Sequence, residues 1–371
     1  MDFTLTEDQT ALRDLARQIL TDRTTPTLLR EADESDEWFD RDTWKALADA
    51  NLLGVALPED VGGLGFGFLE LCLILEEQGR TLAPLPLLHT LVSCALPVSM
   101  FGNAQQRAVL DPIIRGEMIA TAALNELGTP PDAPQTKAVA DGEGWKISGK
   151  KVCVPVAHLC DRILVPAMVG EDIGLFFVAV DQPGVTLTRQ TTPNHEPQFV
   201  MELDGATVED AYRIGALADG RDMLRWIVAR TTVGICAIVS GACQAALKLT
   251  ADYTTTRKQF DRAIGTFQAV GQRMADCYID TQAIELTMLA AATHLSSGED
   301  DASEVHTAKF WASEGGSRVV HAGLHVHGGI SIDLDYPIHR YFLWVKQLEF
   351  TMGAATPQLQ ELGRLIAADH G

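Results

Sequence analysis

The sequence predicts an α+β protein in three successive parts: an N-terminal helical domain over residues 1–115, a middle β-sheet domain over 116–217 and a C-terminal four-helix-bundle domain over 218–371. Three observations predict it. Apolar residues recur at helical spacing through roughly the first hundred positions. From about 116 the pattern breaks into short β-prone runs separated by Gly, Pro and Asp. Beyond 218 come two long apolar-periodic segments, roughly 219–255 and 265–296, with no interior proline.

In order along the chain, Thr6 can cap the first helix with Gln9 three residues on, a capping-box arrangement. Leu12, Leu15, Ala16 and Ile19 then recur along one face. Further amphipathic helices fit roughly 41–51, 67–79, 87–99 and 103–116. The stretch Leu52 to Gly67 is too rich in glycine for a helix and too long for a simple turn, so it reads as a loop packed over the helical core. Strands fit Met118–Leu124, Gly144–Gly149, Lys151–Val156, Arg162–Met168 and Gly174–Val180. After the two long segments, Ser296 to Glu304 reads as an exposed acidic connection leading into a last periodic segment, 302–322.

A chain of 371 residues, 46% hydrophobic, can bury a large core. Its formal net charge of −21 argues against a DNA or RNA partner, which would need a concentrated basic face. The seven cysteines are odd in number and form no CxxC pair, so we expect buried, reduced thiols and a cytoplasmic location. No apolar run reaches the ~18 residues of a membrane span, and the acidic, polar start lacks the regions of a signal peptide. No G-x-S-x-G elbow suggests a hydrolase.

Chemistry concentrates in two patches. The first, Arg257 to Gln268, joins the two long segments as a sharp polar turn and collects Arg257, Lys258, Arg262, Gln259, Gln268, Phe260 and Phe267. Arginine matches phosphate oxygens in a bidentate fork, and an aromatic face can cover a planar heterocycle. A phosphate-bearing ligand with such a ring fits; so does a solvated inter-helix turn. The second patch, His325 to Ser331, carries Gly328 and Gly329, whose bare backbone lets N–H groups approach an anion. A helix C-cap turn is the competing reading. His321, His325 and His327 invite comparison with a metal set, but no carboxylate or cysteine completes it, and no metal is expected.

Together the two patches resemble the acyl-CoA dehydrogenase family. The first is similar to the signature R-x-x-F-G-x-x-I-x-x-F-Q, and the second to Q-x-x-G-G-x-G with its following Y-P-x-x-R-x-x-R region, here Asp335 to Tyr341. Leu52 to Gly67 resembles the family's G-x-x-x-P-E-x-x-G-G-x-G loop. The resemblance implies an acyl-CoA dehydrogenase-like fold, FAD as cofactor and an acyl-CoA thioester as substrate, with an electron-transferring flavoprotein as acceptor. The implied reaction is α,β-dehydrogenation: a glutamate takes the α-proton as the β-hydrogen leaves as hydride to the flavin. It also implies FAD contacts from Arg257, Gln259, Phe260, Phe267, Gln268, His325, Gly328 and Gly329, with His325 standing where the family has glutamine.

Departures from the family pattern carry as much information. Asn125 to Pro134 keeps Glu126 and has Asp132 but inserts Pro130 and Pro131 where the family reads T-E-x-x-A-G-S-D. Cys153 to Val156 replaces the W-I-T-N element that faces the flavin ring. At the late position for the catalytic glutamate, counting back from Thr356 gives Ala354 or Ala355, whereas counting forward from Arg340 gives Glu349; at the alternative position stands Leu224. Family patches of this kind reach across a subunit interface to a neighbour's FAD. The expectation is therefore a supporting subunit in an α2β2 heterotetramer, similar to actinobacterial members acting on sterol-derived acyl-CoAs and paired with a second acyl-CoA dehydrogenase subunit. The alternatives are a self-sufficient homotetrameric enzyme using Glu349 and a scaffold that binds no nucleotide.

Overall fold

The computed structural model describes residues 3–298 and 302–369. Its helices are α1 (Glu7–Arg23), α2 (Pro26–Glu34), α3 (Arg41–Asp49), α4 (Phe68–Thr81), α5 (Leu96–Phe101), α6 (Ala104–Arg107), α7 (Leu110–Ile114), α8 (Gly220–Thr256), α9 (Gln268–Ser297), α10 (Ala302–His327), α11 (Ile338–Phe350) and α12 (Ala355–Asp369). The strands are β1 (Thr121–Ala122), β2 (Lys137–Asp141), β3 (Gly144–Pro155), β4 (Arg162–Val169), β5 (Asp172–Ala179), β6 (Val185–Gln190), β7 (Gln198–Glu209), β8 (Arg213–Ile214), β9 (Lys258–Gln259) and β10 (Arg262–Ala263). A helical start, a central sheet and a helical C-terminal region are thus in place. The expected acidic connection from Ser296 falls partly outside the described residues. Two compact units emerge, each drawn from separated stretches: 1–31, 68–83 and 232–371 in one, 32–67 and 84–231 in the other.

The second of these units carries the sheet, in the order β6-β7-β3-β2-β4-β5-β8 with β1 beside β4. The two runs expected around Gly144 and Lys151 are one strand, β3, antiparallel to β7 and bent by register shifts between Ile147 and Gly149 and between Lys151 and Val154. Pro166 in the middle of β4 faces Leu175 of β5; on β4's other edge β1 pairs at Ile163 and Leu164 and β2 at Met168, so Pro166 falls in the gap and its missing N–H costs no ladder bond. The helix expected over 87–99 begins as a π-helical stretch, Leu88–Ala95, before α5, and the one expected over 103–116 is broken into α6 and α7. Leu52 to Gly67 is indeed packed: Leu52, Leu53, Val55 and Leu57 are buried, and Leu64 and Phe66 donate backbone bonds to Gly54 and Val55.

In the helical unit, α1 starts with the expected capping box, Thr6 and Gln9 exchanging side-chain-to-backbone bonds. Its buried stripe is Leu12, Ala16 and Leu20; Leu15, expected on that face, is 42% exposed. Helix α4 crosses α8 backbone to backbone, since a Cβ on Gly79 would lie 1.9 Å from the Ile238 carbonyl oxygen and one on Gly241 would lie 1.8 Å from that of Glu76. Around this crossing the buried Glu76 accepts from Ser240 at 2.7 Å, and Glu77 is held by Arg17 at 2.8 Å and Arg80 at 3.0 Å. Contrary to the expectation that no apolar run reaches the length of a membrane span, the segment Leu217–Thr256 is long and apolar enough to cross a bilayer, yet 83% of its apolar window is buried in protein. None of the seven cysteines forms a disulfide; six are buried and Cys153 is exposed.

Candidate functional site

All the residues predicted to contact a ligand lie in the helical unit. Between α8 and α9 the chain forms the β9–β10 hairpin, Gln259 opposite Arg262 and Lys258 opposite Ala263, rather than a plain turn. Its two central residues, Phe260 and Asp261, are both left-handed (φ 51° and 62°), as a type I′ turn requires. Asp tolerates this region and Phe does not, so Phe260 is held at a cost of about 1–2 kcal/mol, with its side chain presented outward at 87% exposure. Phe267 meets Phe260 edge-on at 6.2 Å, and the Arg262 guanidinium stacks on Phe267 at 4.0 Å. The side chains of Arg257 and Lys258 make no hydrogen bond or ion pair among the described residues. In a chain with 50 acidic residues against 29 lysines and arginines, two consecutive uncommitted cations have the charge to attract an anion. After the hairpin and a 3-10 turn, Ile264–Thr266, α9 opens with no side-chain cap, leaving N–H groups and the positive helix end available.

The second patch closes α10. Gly328 has φ 63°, which only glycine adopts freely, and begins a 3-10 turn, Gly328–Ile332. A Cβ at Gly328 or Gly329 would meet nothing within 4 Å, so their backbone is open to approach. Two contacts bring the patches to the same end of the bundle. Tyr253, near the end of α8, stacks on His327 at 4.4 Å, and Arg273, in α9, hydrogen-bonds Nδ1 of His325 in α10. Neither Tyr253 nor Arg273 stood out as a partner in the sequence, because spacing within one helix says nothing about which helix it will face.

The three histidines have separate occupations. His327 is buried, donates from Nδ1 to the Gly323 carbonyl at 2.8 Å and accepts at Nε2 from the Tyr336 hydroxyl at 3.1 Å; burial pulls its pKa below the ordinary value, only partly offset by the Gly323 bond. His321 bonds the Ser317 carbonyl at 2.8 Å and meets Phe342 edge-on. No group of three or more His, Cys, Asp or Glu among the described residues could hold a metal ion.

At the positions considered for a base, Glu349 lies in the last turn of α11 and pairs with Lys346 at 2.6 Å, while its carbonyl accepts from Lys309 at 2.9 Å. Leu224 is fully buried, and alanine occupies both 354 and 355. In the sheet unit, burial would raise the Glu126 pKa, but Lys151 at 2.6 Å and the Thr136 amide outweigh it and hold the carboxylate below its usual range. Burial pushes Lys151 down to about 8 despite that partner. Cys153 occupies the second register shift of β3 at φ 51°, its amide donating to Gln190 at 2.9 Å. Sequence showed the missing aromatic there; it did not show the bulge.

The acyl-CoA dehydrogenase N-terminal domain family matches residues 6–117 and the acyl-CoA dehydrogenase C-terminal domain family matches 218–366. Acyl-CoA dehydrogenase FadE27 of Mycobacterium tuberculosis (strain ATCC 25618 / H37Rv) is 39% identical over 379 residues, spanning 99% of each chain. Among solved structures, the Tcur3481-Tcur3483 steroid ACAD G363A variant is 42% identical with a TM-score of 0.93, covering 99% of each chain. The ChsE4-ChsE5 complex from Mycobacterium tuberculosis is 40% identical, also with a TM-score of 0.93 and 99% of each chain covered.

Proposed function

Since this chain belongs to the acyl-CoA dehydrogenase family, we propose that it is a supporting subunit of an FAD-dependent acyl-CoA dehydrogenase, contributing FAD contacts across an interface to a second subunit that supplies the catalytic base. The observation that carries this reading is the corner itself: Arg257 and Lys258 uncommitted, Phe260 presented outward and an uncapped helix start, all in a strongly acidic chain. These features fit FAD. Bound there, the flavin would accept the hydride lost from the β-carbon of the acyl-CoA. Arg257 neutralises phosphate oxygens, Phe260 and Phe267 cover a planar ring, Gln259, Gln268 and His325 supply polar contacts, and the Gly328–Gly329 backbone approaches without obstruction.

Support for the division of labour comes from what is missing. Leucine and alanine cannot remove a proton, and the Glu349 carboxylate is engaged by Lys346. Two solved relatives at about 40% identity are named as pairs of proteins, one of them a steroid ACAD, so a steroid-type acyl-CoA and an α2β2 assembly are the matching substrate and partner. An electron-transferring flavoprotein is the acceptor this chemistry calls for.

The test is to purify the chain alone and co-expressed with the product of its neighbouring gene, then measure flavin content and dehydrogenation of a steroid acyl-CoA. A colourless, inactive lone chain and a yellow, active pair are expected, with Arg257→Ala lowering the flavin content of the pair. Stoichiometric flavin and full turnover in the lone chain, abolished by Glu349→Gln, would instead establish a self-sufficient enzyme. An Arg257→Ala pair with unchanged flavin would leave only the scaffold role.

A further inference from the structure

The hydrogen bond between Arg273 and His325 decides something the sequence leaves open. A neutral imidazole has one N–H donor and one acceptor nitrogen, and which is which follows from its partners. A guanidinium can only donate, so the Arg273 bond makes Nδ1 of His325 the acceptor and leaves the proton on Nε2. His327, two residues on, is held the other way, with Nδ1 donating to the Gly323 carbonyl and Nε2 accepting from Tyr336. Arg273 has no carboxylate partner among the described residues; His325 is its one hydrogen-bond partner there.

We propose that Arg273 is a positioning residue for the cofactor patch: by donating to Nδ1 it locks His325 in the Nε2–H tautomer, so that the imidazole offers a donor to an acceptor atom of FAD. This rests on the FAD reading above. A glutamine at 325 always carries both a donor and an acceptor on its amide and needs no such lock; a histidine does. Arg273 and His325 therefore act as one unit, and only the histidine acts on the ligand.

The experiment uses the complex of this chain with its partner subunit, stripped of flavin and titrated with FAD while flavin fluorescence is followed. Arg273→Ala should raise the Kd about tenfold, the scale of losing one good hydrogen bond, and His325→Ala should do the same. His325→Gln should keep nearly normal affinity, and adding Arg273→Ala to it should change the Kd by less than about twofold. An equal loss from Arg273→Ala in both backgrounds would overturn the lock, because Arg273 would then act on FAD or on the fold directly. No loss in either would overturn it too. Arg257→Ala separates the two levels of the claim: unchanged affinity in that variant removes the FAD site itself, whereas a weakened Arg257→Ala beside an unaffected Arg273→Ala removes only the lock.

Discussion

Lys309 takes a charge into the interior of the helical unit, where its side chain has no solvent exposure. Its Nζ donates to Ser313 at 2.9 Å and to the carbonyls of Leu348 and Glu349 at 3.0 and 2.9 Å. Those carbonyls belong to the end of α11, where a helix lacks internal partners and its dipole favours a cation. Lys309→Ala should destabilise the fold by about 2–4 kcal/mol, read in denaturant melts. Burial also pushes the Lys309 pKa down from 10.5 to about 8. Between those values the unfolded chain binds more protons than the folded one, so this residue's contribution to stability rises with pH across that window. The penalty of burying the charge is fully present below about 8. Wild type should therefore gain on Lys309→Met as pH rises from 8 towards 10.5; a constant difference would show that the lysine keeps its proton when buried. Cys153 offers a second residue-level check. As the one exposed thiol of the seven, it should be the single cysteine labelled by a maleimide in the native lone chain, with the other six reacting only on unfolding.

At the scale of elements, the α4–α8 crossing depends on two missing side chains. The backbone oxygens opposite Gly79 and Gly241 leave no room for a methyl group, and a backbone cannot move aside as a flexible side chain can. Gly241→Ala should cost about 1–3 kcal/mol by overpacking, despite the better helix propensity of alanine, and a melting temperature at or above wild type would contradict the crossing. The β9–β10 hairpin shows the opposite opportunity. Asp261 occupies the second left-handed position of the turn, where the family signature has glycine. Asp261→Gly should be neutral or stabilising by up to about 1 kcal/mol, with flavin content of the pair retained. At the other end of the chain, Thr6→Ala removes one side of the capping box and should cost about 1 kcal/mol.

For the molecule as a whole, acidity and the corner pull in opposite directions. A formal charge of −21 repels anionic ligands at long range, so flavin and acyl-CoA must be met by local cations. Raising the salt concentration from low values should screen that repulsion together with the Arg257 attraction. The Arg257→Ala pair should accordingly lose less affinity for FAD on adding salt than the wild-type pair does; parallel losses would place the binding charge elsewhere.

Periodicity and turn chemistry were sufficient for the helical start, the sheet region, the long helices and the Thr6 capping box, because each of these is set by neighbours within a few residues. Signature spacing likewise marked Arg257, Phe260, His325 and the paired glycines, and it set Leu224, Ala354 or Ala355, and Glu349 at the positions considered for a base. Tertiary structure alone revealed that Tyr253 stacks on His327, that Arg273 hydrogen-bonds His325, that Lys346 occupies Glu349, and that a bulge turns Cys153 outward. Each of those depends on which elements lie against one another or on how strand register slips. A one-dimensional pattern carries the tendency of a residue to be buried or exposed, but not the identity of the group it will meet.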